Sequence, residues 1–214
     1  MAKNKLAFIG IIVGVAIASI LGTLLISGAF TKTAGSNILA EYTPEERTVL
    51  EAAENSLNTM QKTGVVETIT YSDGEYTLVY DPDDFNGVKI AAVNEADKSA
   101  DAASVEGLSA ALVKYTYIGG PVARSFGQKI TKVSDGVYKL EMDPDNYYII
   151  TIKNNLIVGM EMSPELNSLK TTIKYEKYPN VEAVMRAAAA SRAQQIAEQQ
   201  AAANEQAVEE TAAP

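Results

Sequence analysis

Clustered carboxylates are the first residues of this 214-residue chain whose type and spacing could do chemistry. Asp81-Pro82-Asp83-Asp84 and Asp143-Pro144-Asp145 gather oxygen ligands within single turns, the donor type that a hard cation such as calcium takes. Phe85 stands where an EF-hand spacing would need its third alternating ligand, so solvated turns are the simpler expectation. The chain has neither His nor Cys, which removes the commonest general base, the commonest zinc ligand and every thiolate. Ser–His and Cys–His catalysis are thereby excluded within the chain. Carboxylate, Lys or Tyr chemistry stays open, but nothing selects it, and neither an enzyme nor a metal or cofactor is expected.

Apolar surface is the more informative resource. Leu140 and Met142, Ile150 and Ile152, and Val158 and Met160 fall on common faces of three consecutive expected strands, and they are the candidate walls of an apolar ligand cavity. Ile69, Tyr71, Leu78, Tyr80, Ile90, Leu156 and Ile173 extend the same kind of face, more than one short helix can cover. With four Phe and no Trp, the lining is aliphatic, Met and Tyr, which suits an acyl chain if space is left. If the same face packs fully, the chain is instead a structural or protein-interaction module.

The elements that carry these residues follow from periodicity and turn chemistry. Thr43 is a helix N-cap, Pro44 takes the first helical position, and Glu46 completes a capping box. Val49, Leu50, Ala53, Leu57 and Met60 keep helical spacing as far as Lys62, and Thr63-Gly64 ends the run. Alternation over Val65 to Tyr71, Tyr76 to Tyr80 and Val88 to Val93 predicts three strands, with a turn over 81–87. Asn94 to Ser104 shows no period and reads as a surface loop or frayed helix. Val105, Leu108, Ala111, Leu112 and Tyr115 are spaced as a second short helix before Gly119-Gly120-Pro121. A strand over Gln128 to Val133 then leads into a meander from Ser134 to Met162, whose turns are Ser134-Asp135-Gly136, Asp143 to Asn146 and Asn154-Asn155. Lys170 to Tyr175 is the last strand. Ser72 to Asp84 matches Ser134 to Asn146 at eight of thirteen positions, through either an internal duplication or shared hairpin chemistry. The expected class is α+β, a curved antiparallel sheet with covering helices over residues 43–180. An Ala/Gln/Glu-rich tail, 181–214, is helical or disordered, and Val181, Val184, Met185 and Ala188 are placed to dock it.

Ahead of that domain, an uncharged apolar run spans Leu6 to Phe30 after a stub, residues 1–5, that carries Lys3 and Lys5. These 25 residues are enough to cross a hydrocarbon core of about 30 Å and exceed the apolar stretch of an ordinary signal peptide. Ser27-Gly28-Ala29 also resembles a signal-peptidase site, so an uncleaved anchor competes with a cleaved leader. Lys3 and Lys5 hold the stub in the cytoplasm by the positive-inside rule, leaving a tether, 31–42, and the domain outside. Gly10, Gly14, Ala18 and Gly22 recur every fourth residue, a spacing that lets two such helices meet as a homodimer, although Gly is common in membrane helices anyway. The whole chain carries −9, and from residue 31 onward 16 basic residues stand against 27 acidic ones, so nucleic acid is discarded as a partner.

The order helix, strands, crossing helix and further meander resembles the bacterial LolA-like lipoprotein carriers and the related LppX/LprG lipid-binding lipoproteins. Ser134-Asp-Gly-Val-Tyr-Lys-Leu-Glu-Met-Asp-Pro, the strand Leu156 to Met162 and Lys170-Thr-Thr-Ile-Lys-Tyr-Glu-Lys-Tyr-Pro are the likest stretches, within residues 43–180. The resemblance implies a half-barrel that holds acyl chains between sheet and helices. It also implies a lipid or other apolar partner for an extracytoplasmic, membrane-anchored domain. Two departures stand out. The lipobox Cys of the lipoprotein members is missing, and an uncleaved Leu6–Phe30 helix would tether the domain and bar free shuttling.

Protease added to intact cells is expected to remove the domain from residue 31 onward and leave a membrane-held N-terminal stub. Full protection of the domain would reverse the orientation, and a mature N-terminus near Phe30 would show that the anchor is cleaved.

Overall fold

The computed structural model describes residues 42–71, 74–103, 108–116, 124–125, 127–166 and 168–212. The apolar run Leu6–Phe30, its Gly10-Gly14-Ala18-Gly22 stripe and the turn at Gly119-Gly120-Pro121 lie outside the described residues. Among the described residues no helix is long and apolar enough to cross a membrane.

Helix α1 runs Pro44–Thr63 and begins as its sequence dictates. Thr43 Oγ1 accepts the Glu46 amide at 3.2 Å while the Glu46 carboxylate accepts the Thr43 amide at 2.8 Å, closing two of the donors a helix start leaves open. Gly64 ends it at φ +78°, and a Cβ there would stand 2.9 Å from the carbonyl oxygen of Tyr80, so the position needs glycine for both conformation and space. Val49, Ala53 and Met60 are buried as their spacing predicts, together with Ala52 and Ser56, while Leu50 and Leu57 are half-buried.

Among the described residues nine antiparallel strands follow: β1 Val65–Tyr71, β2 Gly74–Phe85, β3 Val88–Asn94, β4 Ala100–Ala102, β5 Lys129–Ser134, β6 Val137–Glu141, β7 Tyr147–Lys153, β8 Leu156–Met162 and β9 Lys170–Lys174. They form one open sheet in the order β4-β3-β2-β1-β9-β8-β7-β6-β5. Two four-stranded meanders thus lie side by side with the last strand between them. Helix α2, Ser109–Thr116, crosses between the meanders, and helix α3, Val181–Ala212, closes the chain.

The two sheet faces are covered differently. Helices α1 and α2 lie on one face, over Leu78, Tyr80, Ile90, Tyr138, Leu140, Tyr148, Ile150, Ile157, Met160 and Ile173. Helix α3 lies on the other, where Val181, Met185 and Ala188 pack on Val79, Ala91, Val93 and Ala100. The Ser191 hydroxyl bonds the Asp101 carboxylate and Arg192 donates to the Gly87 carbonyl at 3.2 Å, after which residues 193–204 are exposed.

Several expectations need correcting. Residues 94–104 are not a surface loop or helix throughout, because Ala100–Ala102 pairs with β3 and is covered by α3, a placement that its Ala-Asp-Ala composition does not signal. The turn expected over 81–87 is only Asn86-Gly87, both at positive φ, because β2 continues through a bulge between Tyr80 and Phe85. Asp81 is therefore buried rather than solvated. The matching strands β2 and β6 each stand second in their meander but are five antiparallel neighbours apart, so they run in opposite directions. The meanders nevertheless read in the same order, so no shift along the sheet superposes them with chain direction kept. The match lies where each meander passes from its first strand to its second, a place that hairpin chemistry and an internal duplication would fill equally.

A second bulge shapes the inner face. Ile152 pairs with Ile157 while Thr151 pairs with Gly159, so β8 carries one extra residue. The freed Ile157 amide donates to Ser56 Oγ of α1 at 2.9 Å, and the Ile157 carbonyl accepts the Tyr175 hydroxyl at 2.7 Å. Side chains from two other elements thereby replace the missing ladder bonds. Ser56→Ala is expected to leave the buried Ile157 amide without a partner and to lower stability by about 1–3 kcal/mol in chemical denaturation. On the same helix the exposed Glu51→Ala is expected to change it by less than about 0.5 kcal/mol.

Candidate functional site

Rows of residues that cross the sheet on its α1–α2 side build the site. One row runs Tyr138, Ile150, Met160, Thr171, Ile69, Tyr76, each pair opposite in register. A second runs Ile130, Leu140, Tyr148, Met162. A third runs Ala92, Leu78, Glu67, Ile173. Because side chains alternate across a strand, each row presents one face to the helices.

Five of the six expected wall residues come together on this face. Leu140, Ile150 and Met160 lie in the buried core, with Leu140 and Ile150 at 0% exposure, and Met142 and Ile152 pack half-buried against it. Met142 and Met162 mark one end of β6–β8, and Ile152 marks the other. Val158 does not join them. The β8 bulge breaks the alternation expected over Leu156, Val158, Met160 and Met162, so Ile157 takes the inward place and Val158 stays outside the core cluster. Leu140 and Ile150 touch protein on every side, so the centre of the face is closed in this state.

The feature that periodicity alone left unremarked is polar. Glu67 is 1% exposed, opposite Leu78 on one neighbouring strand and Ile173 on the other. Its carboxylate accepts the Ser109 amide at 3.0 Å and the Ser109 hydroxyl, and that hydroxyl lies 3.0 Å from Thr171 Oγ1. A strand acid from β1 thus meets the first turn of α2, where helix amides lack internal partners. Burial pushes the Glu67 carboxyl up from 4.5 to about 7, against the opposing pull of the Ser109 hydrogen bonds. A signal was present in the sequence: Glu67 shares the phase of Val65, Ile69 and Tyr71, as Thr171 shares that of Ile173. A carboxylate beside a hydroxyl can act as a general base. Here Ser109 and Thr171 are themselves buried, so no substrate reaches the pair in this state.

The acidic turns separate into two kinds. Asp143 accepts the Asp145 and Asn146 amides at 3.0 and 2.9 Å on the surface, a self-contained turn. Asp81 instead takes the Asp83 amide at 3.0 Å, while its Oδ2 lies 3.3 Å from Lys177 Nζ, which also stands 3.4 Å from Asp83. The Asp81 carboxylate holds the Lys177 ammonium above its ordinary value. This junction ties the end of β2 to the connection between β9 and α3, beside a depression of about 490 Å³ lined by Phe85, Tyr178 and Val181 among others. Among the described residues no three acidic side chains are grouped to hold a metal ion.

No protein-family model matches this chain, and no curated protein matches it.

The raised Glu67 value links stability to pH. The contribution of its neutral form is full below about 4.5 and is lost as pH rises through about 7. Stability is expected to fall by up to about 3 kcal/mol across that window. Glu67→Gln, which keeps an acceptor but cannot ionise, is expected to flatten the fall. Taking the difference between the two proteins in urea denaturation removes the contribution of carboxylates with lowered values, such as Glu95 and Glu141.

Proposed function

We propose that this chain is a membrane-anchored extracytoplasmic domain that binds a lipid or another apolar chain between its sheet and the α1–α2 layer. The observation that carries the proposal is the inner face of the open sheet. Its apolar rows reach past the helix cover, so that Met142, Ile152 and Met162, with Leu57 and Leu112 of the helices, stand half-buried around a closed centre. An open antiparallel sheet with helices on its inner face is also the arrangement expected of LolA-like carriers. Met side chains at the rim adapt to varied apolar shapes at little cost. Binding requires Leu140, Ile150 and Met160 to separate from the helices above them, so the occupied state differs from the closed one by a shift of that layer.

A second function is favoured by one specific observation. The full burial of Leu140 and Ile150 is what a packed structural or protein-interaction module needs. Photocrosslinking separates the two. Membranes carrying the full chain, incubated with a diazirine-bearing fatty acid, are expected to give crosslinks on β6–β8, and Ile150→Trp is expected to reduce them several-fold with the domain still folded. Absence of crosslinks, together with a loss of about 1–3 kcal/mol on Ile150→Trp, would leave the packed module.

A further inference from the structure

The first turn of α2 is tied to the middle of the sheet through one acid. Glu67 holds both the amide and the hydroxyl of Ser109, and the hydroxyl reaches on to Thr171 of β9, so α2, β1 and β9 meet at a single carboxyl group. Among the described residues, these groups face Glu67. From α2 comes Ser109, from β9 come Thr171 and Ile173, from β2 comes Leu78, and just past β9 comes Tyr175. Burial pushes the Tyr175 phenol up to about 12, so it remains neutral wherever Glu67 titrates. Among the described residues no Lys or Arg pairs with Glu67, although the other buried acids, Glu46 and Asp81, have Arg124 and Lys177.

We propose that Glu67 is a proton-operated hold on α2: while its carboxyl is neutral α2 rests on the sheet, and ionisation drives Glu67 toward water and loosens the first turn of α2 from β1 and β9. A neutral carboxyl can complete the chain of hydroxyls through Ser109 to Thr171 with donors and acceptors matched. An anion at the same place sits in an apolar row with no counter-charge among the described residues, and its route to solvation is to lift Ser109 away. In the lifted state the group returns to its ordinary 4.5, against about 7 in the closed state. Raising the pH across that interval therefore favours lifting by up to about 300-fold. The hold supplies a control for the binding site, and in that respect it rests on the proposal that the α1–α2 layer moves to admit a ligand.

Amide hydrogen exchange of the full chain, corrected for the intrinsic pH dependence of exchange, tests it without any ligand. Protection of the Leu112 and Val113 amides is expected to fall tens- to hundreds-fold between pH 5 and pH 8.5, while Ile150 and Met185 keep theirs. In Glu67→Gln the fall is expected to vanish. Unchanged protection at Leu112 and Val113 in the unaltered protein, or an equal fall in Glu67→Gln, would overturn the proposal. Glu67→Leu, which likewise cannot ionise, serves if the Gln variant does not fold: the pH-dependent fall at Leu112 and Val113 is expected to vanish in it too, and a fall equal to that of the unaltered protein would also overturn the proposal. A pH-dependent α2 in a protein that captures no fatty acid would uphold the hold and count against the binding function alone.

Discussion

Strand β9 is the interaction on which the rest of the structure depends. It pairs with β1 through Thr171 and its neighbours and with β8 through Thr172, so one five-residue strand joins two meanders into a single sheet. Without it each meander would present an open edge and a separate, smaller inner face. With it, the row from Tyr138 to Tyr76 is continuous, and helix α1 can cover parts of both halves at once. The β1–β9 pairs join residues about a hundred positions apart in the chain, and closing a loop of that length is what makes such a pairing slow to form but cooperative once made.

The inner face is apolar except where the backbone or a helix end demands otherwise. Ser56 and Tyr175 serve the Ile157 backbone at the β8 bulge, and Glu67, Ser109 and Thr171 serve the start of α2. The two cases differ in charge. Ser56 and Tyr175 satisfy neutral groups with neutral groups over the whole physiological range, whereas Glu67 places an ionisable group in a buried position where no cation among the described residues pairs with it. The buried acids Glu46 and Asp81 are both matched by a cation, which makes the exception informative: a permanently required anchor would be served as well by a neutral amide.

The opposite face is organised on other terms. Helix α3 covers the β2–β4 end through small residues and Met185, and its residues 193–204 carry Gln, Glu and Ala into solvent. The Asp81–Lys177–Asp83 junction fixes its start. The side of the sheet with the half-buried Met and Ile rim is thus the side away from α3, and a shift of α1 and α2 would leave the α3 packing intact.

What the sequence determined by itself is local. The capping box at Thr43 and Glu46, the Asn154-Asn155 turn and the strand alternation in β6 and β7 all follow from contacts within a few residues, and the structure agrees with them. Of the candidate site, Leu140, Met142, Ile150, Ile152 and Met160 were legible because period-two alternation survives wherever the ladder is regular. Val158 was not, since a bulge changes phase without leaving a mark in composition, and whether one forms depends on Ser56 and Tyr175 arriving from other elements. The same reason explains β4, whose three residues become a strand only between β3 and α3, and the central place of β9. Only the tertiary structure could give Glu67 its meaning. The residue looks like any strand acid until Ser109, forty-two positions along, and Thr171 close over it and remove the water that favours its ionised form.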